Sequence, residues 1–172
     1  DDLGVGRADL AHAGLIVVDD VGGELARERD ELLVGDHVVH QAELERLGVT
    51  LYLHPAIVPA DNWHVFDGYP ALVGPSWGWT ATVGAHALRL IYGGVFDEFP
   101  GASVTLGHMG ELLPFQMARL DSRYPAQVPV EKRVQHLPSY YLRNNVYATT
   151  SGVMSHAALL GEAWQGAARG HR

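Results

Sequence analysis

Val49-Thr-Leu-Tyr-Leu-His54-Pro55 is a short β-rich apolar run that stops on an imidazole. Before it, residues 42–47 (Ala-Glu-Leu-Glu-Arg-Leu) have helical spacing, and Gly48 stands where a helix would end. Helix, glycine, apolar strand and then a polar residue is the order of an α/β unit. The same order recurs downstream. Residues 82–92 have helical period and are closed by Gly93-Gly94, with residues 95–99 as a further short helical end. After the Pro100-Gly101 turn, Ser103-Val-Thr-Leu106 reads as a second strand, ending at Gly107-His108. Residues 111–120 then read as a helix with Pro114 in its first turn. A polar, proline-containing stretch runs to Pro138, and Asn145-Val-Tyr-Ala-Thr149 makes a third strand before Thr150-Ser151-Gly152.

Upstream, Leu15-Ile-Val-Val18 is β-rich and stops at Asp19-Asp20, while residues 24–34 have a weak helical pattern. The tail from Ala157 is rich in Ala and Gly and reads as helical. Nothing demands a second domain, so residues 1–172 are taken as one. The expected class from this order is α/β. Residues 55–80, rich in Pro, Gly, Trp and Asp, form a longer connection than compact domains usually tolerate without a use for it.

Composition removes several functions. Twelve Lys and Arg against twenty Asp and Glu give a net charge of -8, which disfavours nucleic acid as a partner. The absence of cysteine excludes disulfides, thiolate zinc sites and a Cys nucleophile. No apolar run has the length of a membrane span, and the N-terminus lacks a signal-peptide pattern, so a cytoplasmic protein without membrane contact is expected. No Gly-rich phosphate loop is present. The ten histidines are the compositional oddity.

In a parallel α/β barrel the reactive side chains stand at the C-terminal ends of strands. His54 and His108 both hold that position; each could equally be a structural histidine. Glu111, three residues after His108, could accept an imidazole N–H and fix the tautomer, or could serve as an acid at a helix start. Trp63, Trp77 and Trp79, with Phe66 and Tyr69, suit either a lid over a planar apolar substrate or ordinary packing over the barrel mouth. Arg119 could bind a substrate carboxylate or make an interhelical salt bridge. His64 and His86 are better explained by surface or core, and His37-Val-Val-His40 is not the H-E-x-x-H zinc motif.

Several ordered blocks add a resemblance. Leu51-Tyr-Leu-His-Pro55, Tyr69-Pro-Ala-Leu-Val-Gly-Pro-Ser-Trp77, His86-Ala-Leu-Arg-Leu90 and Gly94-Val-Phe-Asp-Glu-Phe-Pro100 resemble the aromatic-acid decarboxylases of the amidohydrolase superfamily. So do Leu106-Gly-His-Met-Gly-Glu111 and Thr149-Thr-Ser-Gly152. The likeness covers residues 42–156 and is nearest to γ-resorcylate and 2,3-dihydroxybenzoate decarboxylases, with aminocarboxymuconate-semialdehyde decarboxylase more distant. It implies a partial (β/α)8 TIM barrel, here the central strands and helices, that holds one divalent metal, zinc or manganese, with His54 as a ligand. It further implies His108 as the catalytic proton carrier held by Glu111, and Arg119 near the site or a subunit contact, in a homo-oligomer acting on a small aromatic carboxylic acid. Trp77 is the lid residue expected at the substrate.

The chain also departs from that family. The Glu-x-His or His-x-His pair of its first strand occurs nowhere, and no Asp follows Gly152 to act as the last ligand. A full barrel needs about 250 residues. Residues 1–41 and 159–172 lack the family pattern, which predicts a truncated or frame-shifted piece with impaired activity, and a tendency to associate through its open sheet edges. Two other functions stay open from sequence: a metal-dependent hydrolase or hydratase on the same scaffold, and a non-catalytic truncated paralogue.

Overall fold

The structure, a computed structural model, describes residues 15–19, 42–55, 64–153, 155–157 and 159–160. The expected helix over residues 24–34, His37, His40, Trp63 and most of the tail lie outside them. Four strands form one parallel sheet in chain order: β1 (Leu15–Asp19), β2 (Thr50–His54), β3 (Val104–Leu106) and β4 (Val146–Ala148). Leu53 of β2 is in register with Val18 on one side and Leu106 on the other, and Leu106 in turn with Ala148. All four strands therefore end at the same edge. The run at 15–18, read from sequence only as β-rich, becomes the first of them.

Helix α1 (42–47) ends as its sequence predicts. Gly48 takes a φ of 66°, its N–H bonds Glu45 O, and the Val49 N–H bonds Leu44 O. This is the paired closure that a left-handed glycine permits. Helix α2 (Gly78–Tyr92) starts four residues before the expected 82 and buries Val83, Ala87, Leu90 and Ile91, one face at helical spacing. That face meets Leu51, Leu53, Val104 and Leu106 in the main core, joined by Val95 and Phe96 of α3 (Val95–Glu98). Helix α5 (Leu113–Gln127) runs seven residues beyond the expected end at 120 and adds Leu113 and Met117 to the same core. Between β3 and α5 lies the four-residue α4 (His108–Glu111), whose backbone is left-handed.

Helix α6 (Pro138–Asn144), unforeseen in the sequence, closes the core beside β4 with Tyr141 and Leu142. Polar side chains fix its place. Asp121 of α5 accepts the Ser139 N–H at 2.9 Å, and the buried Asn145 amide donates to Pro100 O and Ala102 O, tying the entry of β4 to that of β3. The Tyr141 hydroxyl donates to Asp97 and accepts the His136 N–H. Burial first, and then the Asp97 hydrogen bond, push the Tyr141 hydroxyl up to about 12.

Tyr141 thus stays protonated in the fold where a free tyrosine ionises. Its stabilising contribution is complete below the unfolded value of about 10 and is lost as pH rises through the folded value. Tyr141→Phe takes the hydroxyl from Asp97 Oδ1 and from the His136 N–H, and is expected to cost about 1.5–3 kcal/mol. Urea unfolding at pH 8 reads that loss. Repeated between pH 10 and 12, it should show a shallower decline for the Phe variant than for the parent. Equal slopes would remove Tyr141 as the source of the decline.

Candidate active site

The residues after β3 do not enter a helix as expected. His108, Met109, Gly110, Glu111 and Leu112 have φ values of 48°, 59°, 72°, 53° and 63°, a left-handed turn of five residues. For each of the four that carry a Cβ this costs about 1–2 kcal/mol. The surroundings hold the turn: Met109 is buried, its N–H bonds Thr149 O at 2.8 Å, and the Gly110 N–H bonds Gly107 O at 2.8 Å. Gly84 of α2 packs against the turn: a Cβ there would be in ordinary contact with Glu111 O, at 3.4 Å. Helix α5 begins only at Leu113, so the expectation that Glu111 opens a helix is corrected, and with it the alternative of a macrodipole acid. Strained backbone kept in place by packing is common where a side chain must be aimed.

What the turn aims is a hydrogen-bonded His–Glu dyad. His108 Nδ1 lies 2.7 Å from Glu111 Oε1; the imidazole is 30% exposed and the carboxylate side chain 0%. A carboxylate at Nδ1 accepts that N–H and fixes the ring's orientation, leaving Nε2 as the nitrogen not bound by it. Glu111 Oε2 is buried with no hydrogen-bond partner among the described residues. Around the dyad stand groups that sequence reasoning did not single out. A Cβ on Gly107 would meet the Tyr52 hydroxyl at 3.2 Å, Ser151 Oγ at 3.3 Å and Glu111 Oε1 at 3.7 Å, so those three oxygens surround the backbone just before His108. Their signal was present: Tyr52 lies two residues before His54, and Ser151 sits in the polar end of the last strand.

His54 ends β2 on the exposed edge, in register with Asp19 of β1. It shares that sheet edge with His108, which comes two residues after Leu106, the partner of Leu53. Trp77 directly precedes α2 and is 47% exposed; Tyr69 is also exposed, whereas Phe66 is buried and Trp79 half-buried inside α2. Arg119 is exposed on α5, outside the His108–Glu111–Ser151 cluster. His64 is exposed beside Asp67, and His86 is half-buried on α2. No group of three or more His, Cys, Asp or Glu side chains that could hold a metal occurs among the described residues. Catalytic zinc takes three protein ligands, so the described residues do not make such a centre by themselves. Among the described residues no helix is long and apolar enough to cross a membrane.

No family model matches the chain. Over 115 residues it is 40% identical to the γ-resorcylate decarboxylase of Rhizobium sp. (strain MTP-10005), a match over 64% of this chain and 34% of that protein. Its homologues are aromatic-acid decarboxylases. The crystal structure of the 2,6-dihydroxybenzoate decarboxylase from Rhizobium superposes with a TM-score of 0.70 at 34% identity, over 76% of this chain and 41% of that one. A dihydroxybenzoic acid decarboxylase from Polaromonas sp. JS666, with bound manganese and the inhibitor 2-nitroresorcinol, gives 0.70 at 32% identity over 76% and 40%. These decarboxylases are TIM barrels of the amidohydrolase fold, and the four parallel strands here are part of that architecture. The chain spans about a third of the length of the curated decarboxylases it matches.

Proposed function

We propose that this chain carries the proton-handling part of a metal-dependent, non-oxidative decarboxylase acting on a small hydroxybenzoate-type acid. The observation that carries the proposal is the 2.7 Å contact between His108 Nδ1 and a fully buried Glu111 carboxylate at the strand ends. That chemistry needs one thing of the protein above all. The ring carbon bearing the carboxylate must receive a proton; the bond to the carboxylate carbon then breaks, its electron pair returns to the ring, and carbon dioxide leaves. His108 supplies the proton from Nε2 and recovers one from water, while Glu111 holds the ring and balances the imidazolium charge. The net reaction needs no redox cofactor.

In this proposal His54 is one ligand of a divalent metal, zinc or manganese, which would supply Lewis-acid charge to the substrate oxygens. The described residues do not complete a ligand set for it. Trp77 offers an exposed planar face for the aromatic ring, and Arg119 a guanidinium for a carboxylate or for a second copy in a homo-oligomer.

The test is direct. The purified protein, supplied separately with manganese and with zinc, is given 2,6-dihydroxybenzoate, and both carbon dioxide and resorcinol are measured. Equal amounts of the two products are expected, and chelation should abolish their formation. Hydrolytic products, or no carbon dioxide with either metal, would end the decarboxylase proposal.

A further inference from the structure

We infer that the loop after β4, residues 149–152, is a clasp that sets the position of the His108 ring, with Gly152 and Ser151 as positioning residues. Three contacts reach from this loop to the left-handed turn. Thr149 O accepts the Met109 N–H at 2.8 Å. Ser151 Oγ accepts the His108 N–H at 3.4 Å, and is itself held by the Thr149 hydroxyl at 2.8 Å. Gly152, with a φ of 70°, lies against the ring edge opposite Glu111: a Cβ there would stand 2.7 Å from His108 Cδ2 and 3.2 Å from Nε2. The imidazole is therefore confined from two sides, by the carboxylate at Nδ1 and by bare backbone at Cδ2. Any side chain at position 152 would push the ring away from Glu111 or lift the loop. Nε2, 3.2 Å from where that Cβ would stand, is the ring nitrogen that Glu111 does not hold and the atom that a proton donor must present.

The geometric claim concerns the ring alone; its catalytic consequence rests on the decarboxylase proposal. Gly152→Ala tests both, with Gly48→Ala as control. Gly48 also has a positive φ, 66°, but a Cβ there would meet nothing within 4 Å. The control thus carries the backbone strain without the clash. Ser151→Ala, which adds no atom, serves if Gly152→Ala does not fold. The readout is the nitrogen-15 and proton spectrum of the His108 ring and amide in the full chain.

In the parent and in Gly48→Ala, a single downfield Nδ1–H resonance is expected. In Gly152→Ala it should move or broaden away, and kcat should fall about 100-fold, as for a reacting group displaced by about 1 Å, with KM little changed. Ser151→Ala should shift the His108 amide. Unchanged His108 signals in both loop variants would overturn the clasp, whatever the turnover. A displaced ring in Gly152→Ala with no turnover by any form of the protein would support the clasp and sink the decarboxylase proposal instead.

Discussion

Replacing His108 with asparagine should lower carbon dioxide release from 2,6-dihydroxybenzoate by about 10²- to 10⁴-fold, the range a positioned proton donor contributes. Asparagine keeps a similar bulk above the sheet edge and can still donate toward Glu111, but it carries no titratable proton. The loss should therefore fall on kcat, with KM changed only modestly. Glu111→Gln should lie between the two. An amide oxygen can still accept from Nδ1, yet the negative charge that balances an imidazolium is gone. Steady-state kinetics of the three proteins decide the matter. If His108→Asn turned over as fast as the parent, the dyad would be structural and another group would have to deliver the proton.

Leu106→Ala should cost about 2–5 kcal/mol of stability, a large part of the roughly 5–15 kcal/mol of a typical domain. Leu106 is 0% exposed, lies between its register partners Leu53 and Ala148, and belongs to the main core cluster. Truncation there leaves a cavity that the paired neighbours cannot collapse into without breaking the ladder. Val65, exposed in the turn at 64–66, is the comparison, and its change to Ala should stay within about 0.5 kcal/mol. Urea titration followed by circular dichroism measures both. A cost under about 1 kcal/mol at Leu106 would mean that the sheet centre is not the packed core described above.

The strands were legible in the sequence because each apolar run is bounded by a residue with a strong local preference. Gly48 can adopt a positive φ, Pro100-Gly101 makes a turn, and His54, His108 and Thr150 interrupt the apolar pattern where the sheet ends. The turn at 108–112 was not legible. Of its five residues only Gly110 favours left-handed backbone, and the others suit a helix start. What overrides their preference is tertiary: the hydrogen bond from Met109 to Thr149, forty residues away, and the packing of Gly84 against Glu111. Helix α6 was hidden for a simpler reason. It has seven residues, starts with Pro138 and contains two tyrosines, too little for a periodic pattern to emerge.

The pairing of His108 with Glu111 could be posed from their spacing, because three residues separate them. The part played by Ser151 and Gly152 could not, since it depends on which strand lies beside β3. His54 and Arg119 show the same limit. Their positions along the chain suggested a role, and the structure adds a shared sheet edge for the first and an exposed helix surface for the second.

The order β1-β2-β3-β4 has a bearing on how such a sheet is made during synthesis. Each described strand after β1 pairs with the one translated before it, so none of these pairings must wait for a part of the chain still inside the ribosome. The structure can grow from one side, one crossover at a time. The grip on the imidazole belongs to the last of these additions, so the chemical apparatus would be assembled only once the layers beneath it are already in place.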